Sequence, residues 1–157
     1  MKVVLDTNVF IDALFNVCDD CKLILKKESK GEYCIIMSNN MNEELIRMIE
    51  SLSKKTKLED EEKQLVYRIL LRALRRVEPV EPKTKFTKCS DKDDNMFFSC
   101  AIDGNADYIV SKDKHIHELK DAGLKNKQGR EIEILYPDEF VLELDKLKLV
   151  TYYNSNK

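Results

Sequence analysis

At 157 residues the chain has the length of one domain and is long enough to bury a proper core. Lysine and arginine total 27 against 29 aspartates and glutamates, which excludes a protein that holds nucleic acid by bulk charge alone and leaves local basic faces open. Nowhere do about eighteen apolar residues run together, and Met1-Lys2 leads into a short strand-like run instead of a signal core, so a cytoplasmic protein with no membrane segment is expected. The odd set Cys18, Cys21, Cys34, Cys89 and Cys100 lacks the spacing of a secreted scaffold and reads as reduced, mostly buried thiols.

Val3 to Leu5 is a β-branched run that stops at Asp6-Thr7-Asn8, and Val9 to Leu14 continues as an apolar helix. A helix over 19–30 ends at Gly31. Tyr33 to Met37 has the continuous apolar character of a strand buried on both faces, and Ser38-Asn39-Asn40 supplies N-cap chemistry for the next helix, Met41 to about Ser53. The segment 54–60 is charged and loop-like. Glu61 to Val77 reads as a long helix with Leu65, Val66, Ile69, Leu70, Ala73 and Leu74 inward and Arg68, Arg72, Arg75 and Arg76 on its other side. Pro79 and Pro82 make 77–86 extended, with room for a short strand. An acid-rich start at Asp91, Asp93 and Asp94 opens a helix through Ile102, broken by Gly104-Asn105. Tyr108 to Val110 is a buried strand, Ser111-Lys112-Asp113 repeats the strand-then-acid pattern, and Ile132 to Leu135 is the last strand. Pro137 takes the N1 position of a final helix to about Leu144. The reading is one domain over 1–145, followed by a tail, 146–157, that is disordered or pairs Leu149 to Tyr153 as an edge strand. Alternation of strands and helices makes the fold α/β, a sandwich with a mostly parallel sheet.

Four separated acids, Asp6, Glu44, Asp94 and Asp113, lie just past a strand or early in the following helix, where a parallel sheet opens its crevice. Helical phase chooses Glu44 over Glu43, which falls nearly opposite the apolar stripe of Met41, Leu45, Met48, Ile49 and Leu52. Carboxylates gathered without cations repel, so a divalent ion is the natural neutraliser. One or two Mg²⁺ or Mn²⁺ ions could bind a phosphodiester, lower the pKa of a bound water and stabilise the leaving oxygen. No glycine-rich phosphate loop is present to do this instead.

The runs VVLDTNVFIDAL, SNNMNEELIRMI and SDKDDNMFFSCAIDGNADYIVSKDKHI resemble the PIN-domain nuclease family, in particular its VapC-like branch of toxin components of toxin–antitoxin pairs. The resemblance spans residues 3 to about 140. It implies a three-layer α/β/α sandwich with five strands in the order 3-2-1-4-5. The implied activity is a Mg²⁺- or Mn²⁺-dependent endoribonuclease that leaves 5′-phosphate and 3′-hydroxyl ends, with its four acids on Asp6, Glu44, Asp94 and Asp113. It also implies that Asn8 orients the first carboxylate, that Ser111 holds a metal-bound water or phosphate oxygen, and that a homodimer and an antitoxin peptide near the crevice are possible partners. Counting back from Ala101 puts the third acid on Asp94, while Asp91, one turn earlier, is left as a metal support or an N-cap.

Blander readings stand beside these. An acid after a strand also starts a turn or caps a helix. The arginine stripe reads first as a solvated face balanced by Glu59 to Glu62 and second as an RNA contact. Lys92, Lys112 and Lys114 flank the acids and are candidates for substrate phosphates, against the alternative of uncommitted surface lysines. Cys18-x-x-Cys21 lacks the partners of a zinc site, His115 and His117 read as an exposed turn, and Phe97-Phe98 as core. The functional expectation is an endoribonuclease for single-stranded RNA or RNA loops. The alternatives are a flap- or structure-specific nuclease, a phosphomonoester hydrolase, and a non-catalytic RNA- or protein-binding scaffold.

Overall fold

The computed structural model describes residues 1–155. Five strands, β1 (Lys2–Leu5), β2 (Cys34–Ser38), β3 (Glu78–Val80), β4 (Tyr108–Val110) and β5 (Glu133–Leu135), form one sheet in the order β3-β2-β1-β4-β5. Every pairing is parallel, so the order implied by the resemblance is found and the sheet is wholly parallel among the described residues. The helices are α1 (Thr7–Leu14), α2 (Asp19–Ser29), α3 (Asn39–Lys55), α4 (Asp60–Leu74), α5 (Asn95–Asp103), α6 (Lys114–His117) and α7 (Pro137–Ser155).

The chain leaves β1 towards β2 and β3, then returns through α5 to β4 and β5 on the other side of β1. Right-handed crossovers therefore put α1 to α4 on one face and α5 and α6 on the other. Strand order reverses between β1 and β4, and the crevice of an open α/β sheet lies at such a point, outside the carboxyl ends of the strands. The core is continuous through the sheet: Val3, Val4, Leu5, Ile35, Ile36, Ile109 and Val110 are buried, as expected for strands covered on both faces. Phe97 and Phe98 are core, as their all-round apolar helix indicates. Gly104, the C-cap of α5, has no room for a side chain: a Cβ there would overlap the Ile36 and Val80 side chains and the Cys100 carbonyl.

Three expectations are corrected. The buried stripe of α4 is narrower than expected: Val66, Leu70 and Ala73 face inward, whereas Leu65 and Ile69 are 54% and 41% exposed. Cys18 and Cys21 are joined in a disulfide, because the turn entering α2 brings their Cα atoms to 5.2 Å, within bridging range, while Cys34, Cys89 and Cys100 are free thiols. The tail expected from residue 146 is, through Ser155, the second half of α7, so the boundary at 145 falls inside a helix. Val-Thr-Tyr-Tyr has strand propensity locally, but a helix nucleated at Pro137 propagates when no glycine or proline stops it. Lys27 pairs with Asp145 at 2.6 Å and Lys148 with Glu32 at 3.7 Å, tying this helix to α2 and its end. Residues 156 and 157 lie outside the described residues. No helix among the described residues is long and apolar enough to cross a membrane.

Candidate functional site

Pairing of Leu5 with Val110 sets the register of the crevice. The next residues, Asp6 and Ser111, leave β1 and β4 side by side, and the Asp6 N–H donates to the Val110 carbonyl at 3.0 Å. Asp6 is only 2% exposed. Its Oδ1 accepts from the Asn8 backbone N–H at 3.2 Å, the N-cap bond of α1, and its Oδ2 accepts from the Ser111 hydroxyl at 2.6 Å. The Ser111 Oγ in turn accepts from the Asp113 N–H at 2.9 Å, and Asp113 caps α6 by accepting from the His115 N–H at 2.7 Å. A single hydrogen-bond chain thus joins the two strand-end acids.

Glu44 enters from α3, where its Oε2 accepts from the Thr7 hydroxyl at 2.7 Å. Glu43 points elsewhere: it is exposed, and its carboxylate accepts from the Asn39 amide at 2.8 Å. Asp94 begins α5 without capping it through its side chain, and its Oδ2 is buried with no hydrogen-bond partner. Burial, then the negative charges of Asp113, Asp6 and Asp91, push its pKa up to about 7, against a small opposing effect of His115. Asp6 is also raised, first by burial and further by Asp113 and Glu44, in spite of the hydrogen bonds from Ser111 and Asn8. Asp6 is the common neighbour: it feels Asp113 and Glu44 and itself acts on Asp94. None of the four forms an ion pair among the described residues, although fourteen residue pairs elsewhere do.

The amino ends of the strands are the opposite. There Glu78 pairs with Lys2, and Asp107 pairs with Arg130 while accepting from the Lys2 N–H at 2.8 Å. The acids at the amino ends of β3 and β4 are thus compensated by cations, whereas Asp6, Glu44, Asp94 and Asp113 have no ion partner among the described residues. A hard cation fits this donor set of carboxylate oxygens, one of them a buried orphan. Among the described residues no three His, Cys, Asp or Glu side chains converge tightly enough to cage an ion. Mg²⁺ needs no cage, because it keeps several waters and is held through one or two carboxylates.

The supporting residues differ from expectation in their chemistry. Asn8 has an exposed side chain and acts on Asp6 through its backbone N–H. Ser111 commits its hydroxyl to Asp6 and its backbone carbonyl to His117, whose Nε2 donates at 2.8 Å. Asp91 caps no helix; it is exposed and accepts from the Asp93 N–H at 3.0 Å. Lys112 is ion-paired with Asp12, Lys114 is exposed, and Lys92 lines an open cleft of about 640 Å³ beside Glu44. Arg76 is structural, bound to the Glu28 carboxylate at 3.1 Å. His115 and His117 sit half-buried in α6 instead of in an exposed turn, the latter stacked on Tyr136 at 3.6 Å between centroids. The sequence reading missed Thr7, which follows Asp6 directly, and Arg47, which lines the cleft with Glu44 and Lys92 and lies three residues on from Glu44, on the same helix face.

Comparison with known proteins bears on the family and the fold. The PIN domain family model matches residues 2–115, which include all four acids. An uncharacterized protein of Methanocaldococcus jannaschii, MJ1680, is 29% identical over 147 residues, 93% of each chain. A chain in the crystal structure of VapBC2 from Rickettsia felis bound to a DNA fragment from their promoter matches with a TM-score of 0.53 and 18% identity, covering 87% of this chain and 98% of that one, and so shares the fold. The strand order, the crevice at the β1–β4 reversal and the family match over most of the chain lead to one assignment: the chain belongs to the PIN domain family of nucleases.

Proposed function

We propose that the chain is a divalent-metal-dependent endoribonuclease acting on single-stranded RNA or exposed RNA loops, and the toxin of a toxin–antitoxin pair. The observation that carries this reading is the half-buried Asp94 carboxyl, which feels the charges of Asp113 and Asp6, has its Oδ2 buried without a hydrogen-bond partner and, like those two acids, pairs with no cation among the described residues. Such a cluster costs stability in the free protein and is expected where charge is to be recruited.

Asp6, Glu44, Asp94 and Asp113 would hold one or two Mg²⁺ or Mn²⁺ ions. A bound ion supplies neutralisation of the phosphodiester charge and acidifies water at the site. Around it the chain's own groups fix orientation: Ser111 and the Asn8 N–H hold both oxygens of Asp6, and the Thr7 hydroxyl holds Glu44. Two-sided fixing of a carboxylate of this kind tunes metal affinity by about 10–100-fold in known sites. Arg47 and Lys92 stand beside Glu44 to meet phosphate oxygens. The toxin assignment rests on the fold shared with the VapBC2 chain, and the corresponding partner would be an antitoxin segment entering the crevice.

Purified protein incubated with single-stranded RNA in Mg²⁺ or Mn²⁺, beside an Asp6→Asn variant, tests the reading. Cleavage by the parent and its loss in the variant are expected; equal cleavage removes Asp6 from the chemistry. Calorimetric titration with Mn²⁺ is the second arm, and no binding at millimolar metal would favour a non-catalytic scaffold.

A further inference from the structure

Two adjoining clefts lie on the β3 side of the sheet, away from β4, and the first of them is bordered by Glu44. The first, of about 640 Å³, is the one lined by Glu44, Arg47 and Lys92. The second, of about 460 Å³, lies over the carboxyl ends of β2 and β3 and is lined by the 80–86 segment and the start of α5. Asn40 and Met96 line both, so the two form one groove leading from Glu44 to Lys85 and Phe86. Each half has the volume of a small-ligand site, about 300–1,000 Å³.

The walls are of mixed chemistry. Asn39 and Asn40 sit in the first turn of α3; the Asn39 amide donates to Glu43, while the exposed Asn40 amide is a group that donates and accepts at once and so matches the edges of nucleobases. Met96 and Phe86 supply apolar surface, and Phe86 is braced by stacking on Phe98 at 4.6 Å between centroids. Charges are balanced along the groove: Arg47, Lys92 and Lys85 are offset by Glu44, Asp93 and Glu81. A phosphate-tracking channel would be uniformly basic. Amides, an aromatic ring and balanced charge suit unpaired bases instead.

We propose that this groove is the subsite for unpaired nucleotides on one side of the scissile phosphate, with Asn40 as a base-reading residue and Lys85 as the far phosphate contact. The proposal rests on the ribonuclease reading for its scissile bond, but its binding chemistry is independent of cleavage. Bases would enter the groove one by one from Glu44, so the site selects single-stranded segments and prefers particular bases near the cut.

The test uses the full chain carrying Asp6→Asn, with fluorescein-labelled hexanucleotides of U, A or C as probes and fluorescence anisotropy as the readout over a range of KCl. Asn40 and Lys85 are both exposed, so their replacement leaves the core intact. The affinities of the three probes should differ, and Asn40→Ala should shrink that difference by about fivefold or more. Lys85→Ala should weaken every probe and reduce the slope of log affinity against log salt by about 0.7. Binding of all probes unchanged in both variants overturns the proposal. Absence of RNA cleavage by the parent, with both groove effects present, sinks the ribonuclease reading and leaves the subsite standing. Cleavage by the parent at positions that neither variant alters, with unchanged affinity, does the reverse.

Discussion

The two ends of α5 carry one aspartate each, and their fates are opposite. Asp94 at the amino end is pushed up to about 7 by burial and by Asp113, Asp6 and Asp91. At the carboxyl end burial also works to raise Asp103, but hydrogen bonds from Thr84 and Lys83, together with Lys127, overcome it and hold the group down to about 2. The helix dipole alone would favour the reverse, stabilising a carboxylate at the amino end and penalising one at the carboxyl end. Immediate partners therefore outweigh the dipole. Asp103 receives the Thr84 N–H and hydroxyl, each at 2.7 Å, and pairs with Lys127 at 3.2 Å. Asp94 has a buried oxygen with no hydrogen-bond partner. A carboxylate whose neighbours satisfy it holds the structure together, and one whose neighbours repel it is placed to bind something else.

The largest expected effect separates these roles. Asp94→Asn keeps the size of the side chain and should lower RNA cleavage by about 10³-fold, the scale of removing a group that stabilises transition-state charge. Its thermal stability should not fall. Asp103→Asn should retain cleavage within a few-fold. If the two variants lose cleavage equally, the contrast between the ends of α5 has no functional meaning.

Next comes the structural counterpart. Asp103→Ala strands the Lys83 and Thr84 donors and removes the Lys127 pair, which ties the 83–84 segment to α5. Charged hydrogen bonds of this kind are worth about 1.5–3 kcal/mol each, with part of the loss recovered by water, so a loss of about 3 kcal/mol in denaturant unfolding is expected. A smaller effect, about 10–100-fold in cleavage, is expected for Ser111→Ala, because Asp6 loses the hydroxyl that orients its Oδ2. Thr remains able to donate, so Ser111→Thr should restore much of the activity if orientation is the cause.

These roles were unequally legible in the sequence. Asp6 and Asp113 stand out as candidates because the first directly follows β1 and the second lies three residues past the end of β4, and a parallel sheet sends such residues to one edge. Helical phase was enough to separate Glu44 from Glu43, since only one of them borders the buried stripe. Asp103 was invisible: its partners Thr84 and Lys127 are loop residues brought to it by tertiary packing, and no periodicity marks them. The same limit hid the commitment of Lys112 to Asp12, a contact between residues one hundred apart in sequence. The second half of α7 was misread for a different reason, since Val150 to Tyr153 favours strand by residue type and only continuity with Pro137 to Leu144 makes it helix.

The smallest effects concern pH, and here the two aspartates should give curves of opposite slope. Below the unfolded value of 3.8, Asp94 is protonated in both states and costs nothing. As pH rises towards about 7 the folded protein holds a proton that the unfolded chain has released, so metal-free stability falls across this window and levels off above it. The stability gained by Asp94→Asn should therefore grow from pH 4 to pH 7, reaching about 1–2 kcal/mol once solvent screening is allowed for. Asp103 behaves inversely: its contribution is present above 3.8 and is lost as pH falls through about 2. The destabilisation of Asp103→Asn should thus be constant from pH 5 upward and shrink only in strong acid. Asp91→Asn should shift the Asp94 curve slightly to lower pH, because Asp91 is the weakest of the negative neighbours raising it and is exposed. Parallel curves for Asp94→Asn and Asp103→Asn in metal-free thermal melts would mean that the buried carboxyl beside Asp6 and Asp113 is already compensated, and that the crevice needs no cation to neutralise it.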